Sequence, residues 1–443
     1  MILEHKPIQE RIQYYLIRAV TYPLSFLPYF LIHVLGNFLG YLAFYLLRDF
    51  KKRTLSNLAL AKDLKLNFNE KKLFKTAKKT FQNLAITILE YPKLAREKNF
   101  SKLIICQNPE KALELYKQKK GLVFFCGHQA NWEVLFLDGN LRMKGIAIGK
   151  PFRNKRLYKW VTAIREKTGG TIVPPEKALK EGLRGLKNGK FLGIVGDQGM
   201  PESEYAFPFL GRRAYTSTAP ALLAYKTNSP ILVATTQRHK GKYYIKYSDP
   251  IFPNLNQPLE KEVIRLMDSS LKLLQASILE KPEQWLWQHN RYKQQTLKTL
   301  YRAYRFESIA IILPEEEKAF NYLVSHLSTL KKIYSKDFIL LFMPKKYAHL
   351  NPIEVEEVIF YESSQELLKK EKEYRPKLVF NFTGKEEISK RFLKLSTLKV
   401  FSFADLKQIA KQNQPEKTIN TPSQIFAAAL CRTKTLKSFV ETF

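Results

Sequence analysis

From Ala19 to Leu47 the chain reads "AVTYPLSFLPYFLIHVLGNFLGYLAFYLL", with no Asp, Glu, Lys or Arg, and Arg18 and Arg48 bracket the run. As one helix it extends about 44 Å at about 1.5 Å per residue, against a hydrocarbon core of about 30 Å. This predicts a membrane-anchor helix within residues 1–48. The competing reading is a pair of short buried helices, because Pro23 and Pro28 interrupt the early part and His33 and Asn37 are polar. The run leads into "RDFKKR" rather than a small-residue cleavage site, which argues against a secretory signal. Those basic residues place the following domain on the cytoplasmic side, although Lys6, Arg11 and Arg18 weaken the asymmetry.

Residues 49–100 carry apolar positions at helical spacing, as in "SNLALAKDL" and "FKTAKKTFQNLAITILEY". Short apolar runs then alternate with amphipathic ones. "GLVFFC", "GIAIGK", "TIVP", "FLGIVGD" and "PILVATT" read as strands, separated by helices such as "NWEVLFLDGNLRM", "RLYKWVTAIREKTG" and "APALLAYKT". The same rhythm restarts near Ser308 with "IAIILP", "FILLFMP", "EEVIFY", "KLVFNFTG" and "LKVFSF". The expected fold class is α/β, with a mixed, mostly parallel sheet flanked by helices and a second, smaller α/β domain. The expected division is an anchor over 1–48, a main domain over 49–300 and an accessory domain over 301–443. No G-x-G-x-x-G or G-x-x-x-x-G-K follows a strand of the accessory domain, so nothing there indicates a nucleotide site.

Charge narrows the partners. The 443 residues include 74 Lys and Arg against 40 Asp and Glu, a formal +34. Such an excess points to an anionic partner: a nucleic acid, a membrane surface, a phosphorylated substrate or an acidic protein. Lys and Tyr interleaved in "KGKYYIKY" are the feature that favours nucleic acid, and the uncharged N-terminal run speaks against it. Cys106, Cys126 and Cys431 are odd in number and far apart, which predicts neither a disulfide framework nor a zinc cluster.

The candidate chemistry is "GHQANWEV", residues 127–134, at the end of the strand "LVFFC". His128 and Glu133 are five positions apart, about 140° around a continuous helix, and so cannot meet on one. They can meet if His128 lies in the loop and Glu133 in the first helical turn, with Asn131 as the cap. Glu133 then accepts from one imidazole nitrogen and the other nitrogen takes a proton from a hydroxyl. Alone, a His-x4-Glu pair is weak evidence, and an incidental helix-capping turn is the better reading of it.

Further stretches occur in order: "KRTLSNLALA", "PFRNKRLYKWVTAIREKTGG", "GDQGMPESEYAFPFLGRRAYTSTAPALLAYKTNSPI" and "PEQWLWQHNRYK". As a set, over roughly residues 10–295, they resemble the late lipid A biosynthesis acyltransferases, a branch of the lysophospholipid acyltransferase superfamily. The resemblance implies transfer of a fatty acyl chain from a thioester to a hydroxyl of a phosphorylated lipid A precursor, with acyl carrier protein as donor carrier and no metal or organic cofactor. It implies catalytic roles for His128, Glu133 and Arg165. Asp197 and Gln198 are expected to position Arg165 or acceptor hydroxyls, and Arg153 and Arg156, with Lys155 and Lys159, to meet acceptor phosphates. Trp132, Trp285 and Trp287 are read as core or membrane-interface residues, and Cys126 as a structural thiol. Two positions depart from the pattern: Ala219 stands where Gly precedes Pro, and Asn290 where a basic residue is common. The implied location is the bacterial inner membrane, with the catalytic domain facing the cytoplasm. Glycerol-phosphate or glycolipid acylation is the neighbouring alternative. Residues 301–443 lie outside the resemblance and are expected to be dispensable for the chemistry, serving docking or stability.

Overall fold

In a computed structural model, residues 7–66, 69–295, 301–350, 352–369 and 372–431 are described. The apolar N-terminal run is not one helix. Helix α1 (Pro7–Leu24) and helix α2 (Tyr29–Leu46) are separated by a turn at Ser25–Leu27, and Pro28 stands immediately before α2. Proline at the start of a helix loses no hydrogen bond, so the break falls where the sequence tolerates it. Among the described residues α2 is the one helix long and apolar enough to cross a membrane. Only Ile32, Gly36, Gly40 and Phe44 on it are buried, a stripe with four-residue spacing.

The chain packs as two compact units. The first comprises the described parts of Met1–Leu47, Lys75–Gln198 and Tyr205–Trp287. After helix α3 (Arg48–Leu60) and helix α4 (Glu70–Arg96) come β1 (Ile104–Cys106), α5 (Glu110–Lys117), β2 (Leu122–Cys126), α6 (Glu133–Arg142) and β3 (Gly145–Ile148). The chain continues through α7 (Lys155–Arg165), β4 (Thr171–Val173), α8 (Ala178–Lys187), β5 (Phe191–Val195) and the hairpin β6 (Ala206–Phe209) and β7 (Arg212–Tyr215). Then follow α9 (Ala219–Thr227), β8 (Ile231–His239), β9 (Lys242–Tyr247) and α10 (Leu259–Glu280). Seven strands form one sheet in the order β1-β9-β8-β2-β5-β3-β4, and only the β8–β9 pair is antiparallel. Strand β2 lies mid-sheet between β8 and β5, and all five of its residues are buried, which is why it reads as an unbroken apolar run. "KYYIKY" is β9: Tyr243, Ile245 and Tyr247 are buried, while Lys242 and Lys246 are exposed. The interleaving that suggested nucleic acid is therefore strand alternation.

The second unit comprises the described parts of Arg48–Phe74, Gly199–Glu204 and Gln288–Phe443. Its strands are β10 (Ser308–Ile312), β11 (Phe338–Pro344), β12 (Glu357–Tyr361), β13 (Leu378–Asn381) and β14 (Lys399–Ser402). Its helices are α11 (Glu317–Val324), α12 (Leu327–Ile333), α13 (Ser364–Lys369), α14 (Glu386–Lys394), α15 (Phe403–Asn413) and α16 (Pro422–Leu430). The sheet is wholly parallel, in the order β12-β11-β10-β13-β14. Packing thus draws its boundary elsewhere than at residue 300, because α3 belongs with the C-terminal sheet. Thr54 to Leu60 are all buried, and Ser56 Oγ donates to Arg375 O at 2.6 Å. Fully buried Lys377 pairs with Glu307 and donates to Asn57 Oδ1 at 2.7 Å.

Candidate active site

Strands β2 and β5 are parallel neighbours with Cys126 opposite Val195. Two residues further along each strand, that register brings His128 beside Asp197 at the C-terminal edge of the sheet. His128 Nδ1 is 2.6 Å from Asp197 Oδ1, and the His128 amide donates to Asp197 Oδ2 at 2.7 Å. Trp285 Nε1 donates to the same Oδ2 at 2.6 Å. Asp197 is 0% exposed, so these donors replace the water its carboxylate would otherwise need. Gly127 permits the approach: a Cβ there would lie 2.8 Å from Asp197 Oδ2 and 3.1 Å from Leu274.

The His128 side chain is 13% exposed, and its Nε2 lies 3.4 Å from the amide nitrogen of exposed Gln198. The Trp132 ring meets the imidazole edge-on, with centroids 4.7 Å apart. An imidazole held at Nδ1 by a carboxylate keeps Nε2 as the nitrogen that can accept a proton.

Glu133, the first residue of α6, faces a different partner. Its two oxygens take Arg165 Nε at 2.8 Å and Arg165 Nη2 at 2.6 Å, a two-point pair that joins α6 to the end of α7. Tyr91 on α4 accepts from Arg165 Nη2 at 3.2 Å. Burial works against the Arg165 charge, but the Glu133 carboxylate outweighs it, so the net shift is upward and the guanidinium stays charged. Arg165 Nη1 has no hydrogen-bond partner among the described residues. The sequence reading had Glu133 orienting the imidazole and Asp197 positioning Arg165 or acceptor hydroxyls. In the described hydrogen bonds the partners are exchanged: Asp197 takes His128, and Glu133 takes Arg165.

The loop between His128 and Glu133 is held at each step. Ala130 adopts φ +44°, a left-handed conformation that costs a non-glycine residue roughly 1–2 kcal/mol. Its amide donates to Gln284 O at 2.7 Å, and its carbonyl accepts from Thr87 Oγ1 at 3.0 Å. His128 O accepts from Leu286 N at 3.0 Å. Asn131 Oδ1 accepts from Glu133 N at 3.2 Å, an Asx-type turn one residue ahead of the N-cap position, which is Trp132 and carries no side-chain cap, so the expected Asn131 cap is displaced by one residue.

Arg153, Lys155, Arg156 and Lys159 are all exposed around the start of α7. Arg156 and Arg165 are nine residues apart, about 180° around the helix, and so occupy opposite faces. Cys126 is buried, and burial followed by the charges of Asp197 and Glu133 pushes its thiol pKa well up. It is a poor nucleophile. An apolar cavity lined by Phe124, Trp132, Phe136, Ala147, Phe191 and Gly193 lies beneath the histidine loop. Sequence reasoning read Trp285 as a core or membrane-interface residue rather than a partner of Asp197, and passed over Tyr91 and Glu90. "WLWQH" had drawn attention to Trp285, whereas the two α4 residues sit in an ordinary amphipathic pattern.

The family model for bacterial lipid A biosynthesis acyltransferases matches residues 5–294. The chain belongs to that family. It is an enzyme, an acyltransferase that acts on lipid A. Its similarity to a lipid A biosynthesis lauroyltransferase of Escherichia coli (strain K12) is 25% identity over 280 residues, covering 60% of this chain and 87% of the relative. The matched family segment carries His128, Glu133, Arg165 and Asp197 and stops short of the C-terminal sheet.

Proposed function

We propose that this acyltransferase moves a fatty acyl chain from the thioester of acyl carrier protein to a hydroxyl of a phosphorylated lipid A precursor, a secondary acylation at the cytoplasmic face of the bacterial inner membrane. The observation that carries the reading is the His128–Asp197 pair, with Nε2 turned toward exposed Gln198. His128 Nε2 takes the hydroxyl proton as the oxygen attacks the thioester carbon. Asp197 fixes the ring and stabilises the imidazolium. The tetrahedral intermediate collapses with loss of the C–S bond, and the imidazolium returns the proton to the departing thiolate. Arg165, charged and aligned by Glu133, offers Nη1 to the oxyanion or to an acceptor phosphate. The apolar cavity beneath the loop receives part of the acyl chain. Exposed Arg153 and Arg156, with Gln198 at the mouth, meet the polar acceptor. No metal or organic cofactor enters this scheme.

The test is direct donor comparison by the full chain in detergent micelles. Mass spectrometry of a phosphorylated lipid A precursor should show addition of one acyl group, faster with acyl carrier protein than with acyl-coenzyme A. A donor preference for coenzyme A would reject the carrier protein, and no acylated product from either donor would reject the reaction. Because exposed charge is screened over about 8 Å at physiological ionic strength, KM for the acidic carrier should rise with salt.

A further inference from the structure

We infer that Glu90 is a positioning residue that locks the His128 loop and ties its geometry to the seating of the apolar helix α2. This rests on His128 being the base. Glu90 lies on α4 and is 0% exposed. Its Oε2 accepts from Asn131 Nδ2 at 2.7 Å and from Tyr243 OH at 2.5 Å, while Oε1 lies 2.6 Å from His33 Nε2. Three elements therefore converge on one carboxylate: the histidine loop through Asn131, the sheet through Tyr243, and α2 through His33. Burial, and then the adjacent Glu90 charge, pushes the Tyr243 hydroxyl well up, so it remains a donor.

Helix α4 is the common support. One face takes α2 so closely that a Cβ on Gly36 would lie 2.5 Å from Ile86 Cγ1, and one on Gly40 would lie 2.3 Å from Gln82 Cα. Another face presents Asn83, Thr87 and Glu90 to the loop. Asn83 Nδ2 reaches Ala130 O at 3.4 Å and Gln284 O at 3.2 Å. Ala130 stays in its left-handed conformation only because its surroundings fix it, and Asn131 is the next residue. When Glu90 is lost, Asn131 is released beside that strained residue and His128 can shift with it. Glu90 acts through Asn131 and does not touch substrate. Helix α2 then serves the chemistry as well as membrane attachment.

The experiment compares Glu90→Gln, His33→Ala, Asn131→Asp and the Glu90→Gln/Asn131→Asp double variant, with His128→Ala as the reference, all as full chains in the same micelles. While His33 donates from Nε2 to the remaining carbonyl oxygen, a glutamine at 90 turns its NH2 toward the Asn131 amide, and an aspartate at 131 restores a donor–acceptor match. A misplaced catalytic group costs on the order of 10²-fold. Glu90→Gln should approach that loss in kcat with KM within about twofold. His33→Ala should lose a smaller factor, and the double variant should recover most of the kcat lost by either single change while melting at the same temperature as Glu90→Gln. Wild-type kcat in folded Glu90→Gln, or no recovery in the double variant, would overturn the positioning role. An active His128→Ala instead removes the base assignment on which the inference stands, so the two failures are told apart. If Glu90→Gln does not fold, the His33→Ala result decides: unchanged kcat sinks the link to α2.

Discussion

Asp197→Asn changes almost no volume and tests the orienting hydrogen bond at His128. An amide nitrogen facing Nδ1 favours the tautomer with its proton on Nε2, where a base must have none. We expect kcat to fall on the order of 10²- to 10⁴-fold with little change in melting temperature, matching His128→Ala in both respects. Glu133→Ala should behave differently. It strands the Arg165 guanidinium, which is only 17% exposed, so stability should fall by about 3 kcal/mol together with rate. Parallel kcat and urea-unfolding measurements on the two variants separate the roles, and equal stability losses would contradict the exchanged pairing. Cys126→Ala should retain most turnover, because the buried, protonated thiol offers no nucleophile at neutral pH. An inactive but folded Cys126→Ala protein would count against this.

At the scale of elements, the site depends on close approaches that only glycine permits. Gly127→Ala places a methyl 2.8 Å from Asp197 Oδ2 and 3.1 Å from Leu274, neither of which has room to retreat in the core. We expect the carboxylate to move and kcat to drop by at least tenfold, roughly the loss of one well-made hydrogen bond. Steady-state turnover of the folded variant checks this, and normal kcat would show that the pair tolerates displacement.

For the whole molecule, the notable feature is where the C-terminal unit stops. It groups with α3, which reaches it through Ser56–Arg375 and Asn57–Lys377 hydrogen bonds, so removing residues 301–443 also takes partners away from α3. Ending the chain near Leu300, itself outside the described residues, would remove Arg375 and Lys377, the hydrogen-bond partners of buried Ser56 and Asn57 on α3. A buried polar group left unsatisfied costs about 1–3 kcal/mol, a large fraction of a domain's stability. We expect the truncated chain to aggregate even in detergent. Lys377→Met should destabilise the full chain by about 3 kcal/mol, because Glu307 is left as an unpaired buried charge. Recovery of a folded, active truncation would reverse this view and restore the dispensable reading.

The α/β alternation, the second domain's five strands and the place of "GHQANWE" between a strand and a helix were legible in the sequence because each is a local pattern. Strands announce themselves by apolar runs, and a histidine after a strand with an Asn two residues before a carboxylate is visible in one line of text. The break at Pro28 was legible as well, though only as an alternative to one long helix. Which carboxylate meets His128 was not legible, since Asp197 is 69 positions away and comes beside it only through the parallel register of β2 and β5. The same holds for Glu90, Tyr243 and His33, and for α3 joining a sheet more than 240 residues downstream. Hydrophobic pattern specifies which face of an element is buried. The partner on that face is chosen by the packing of the whole chain, where distant side chains compete for the same space.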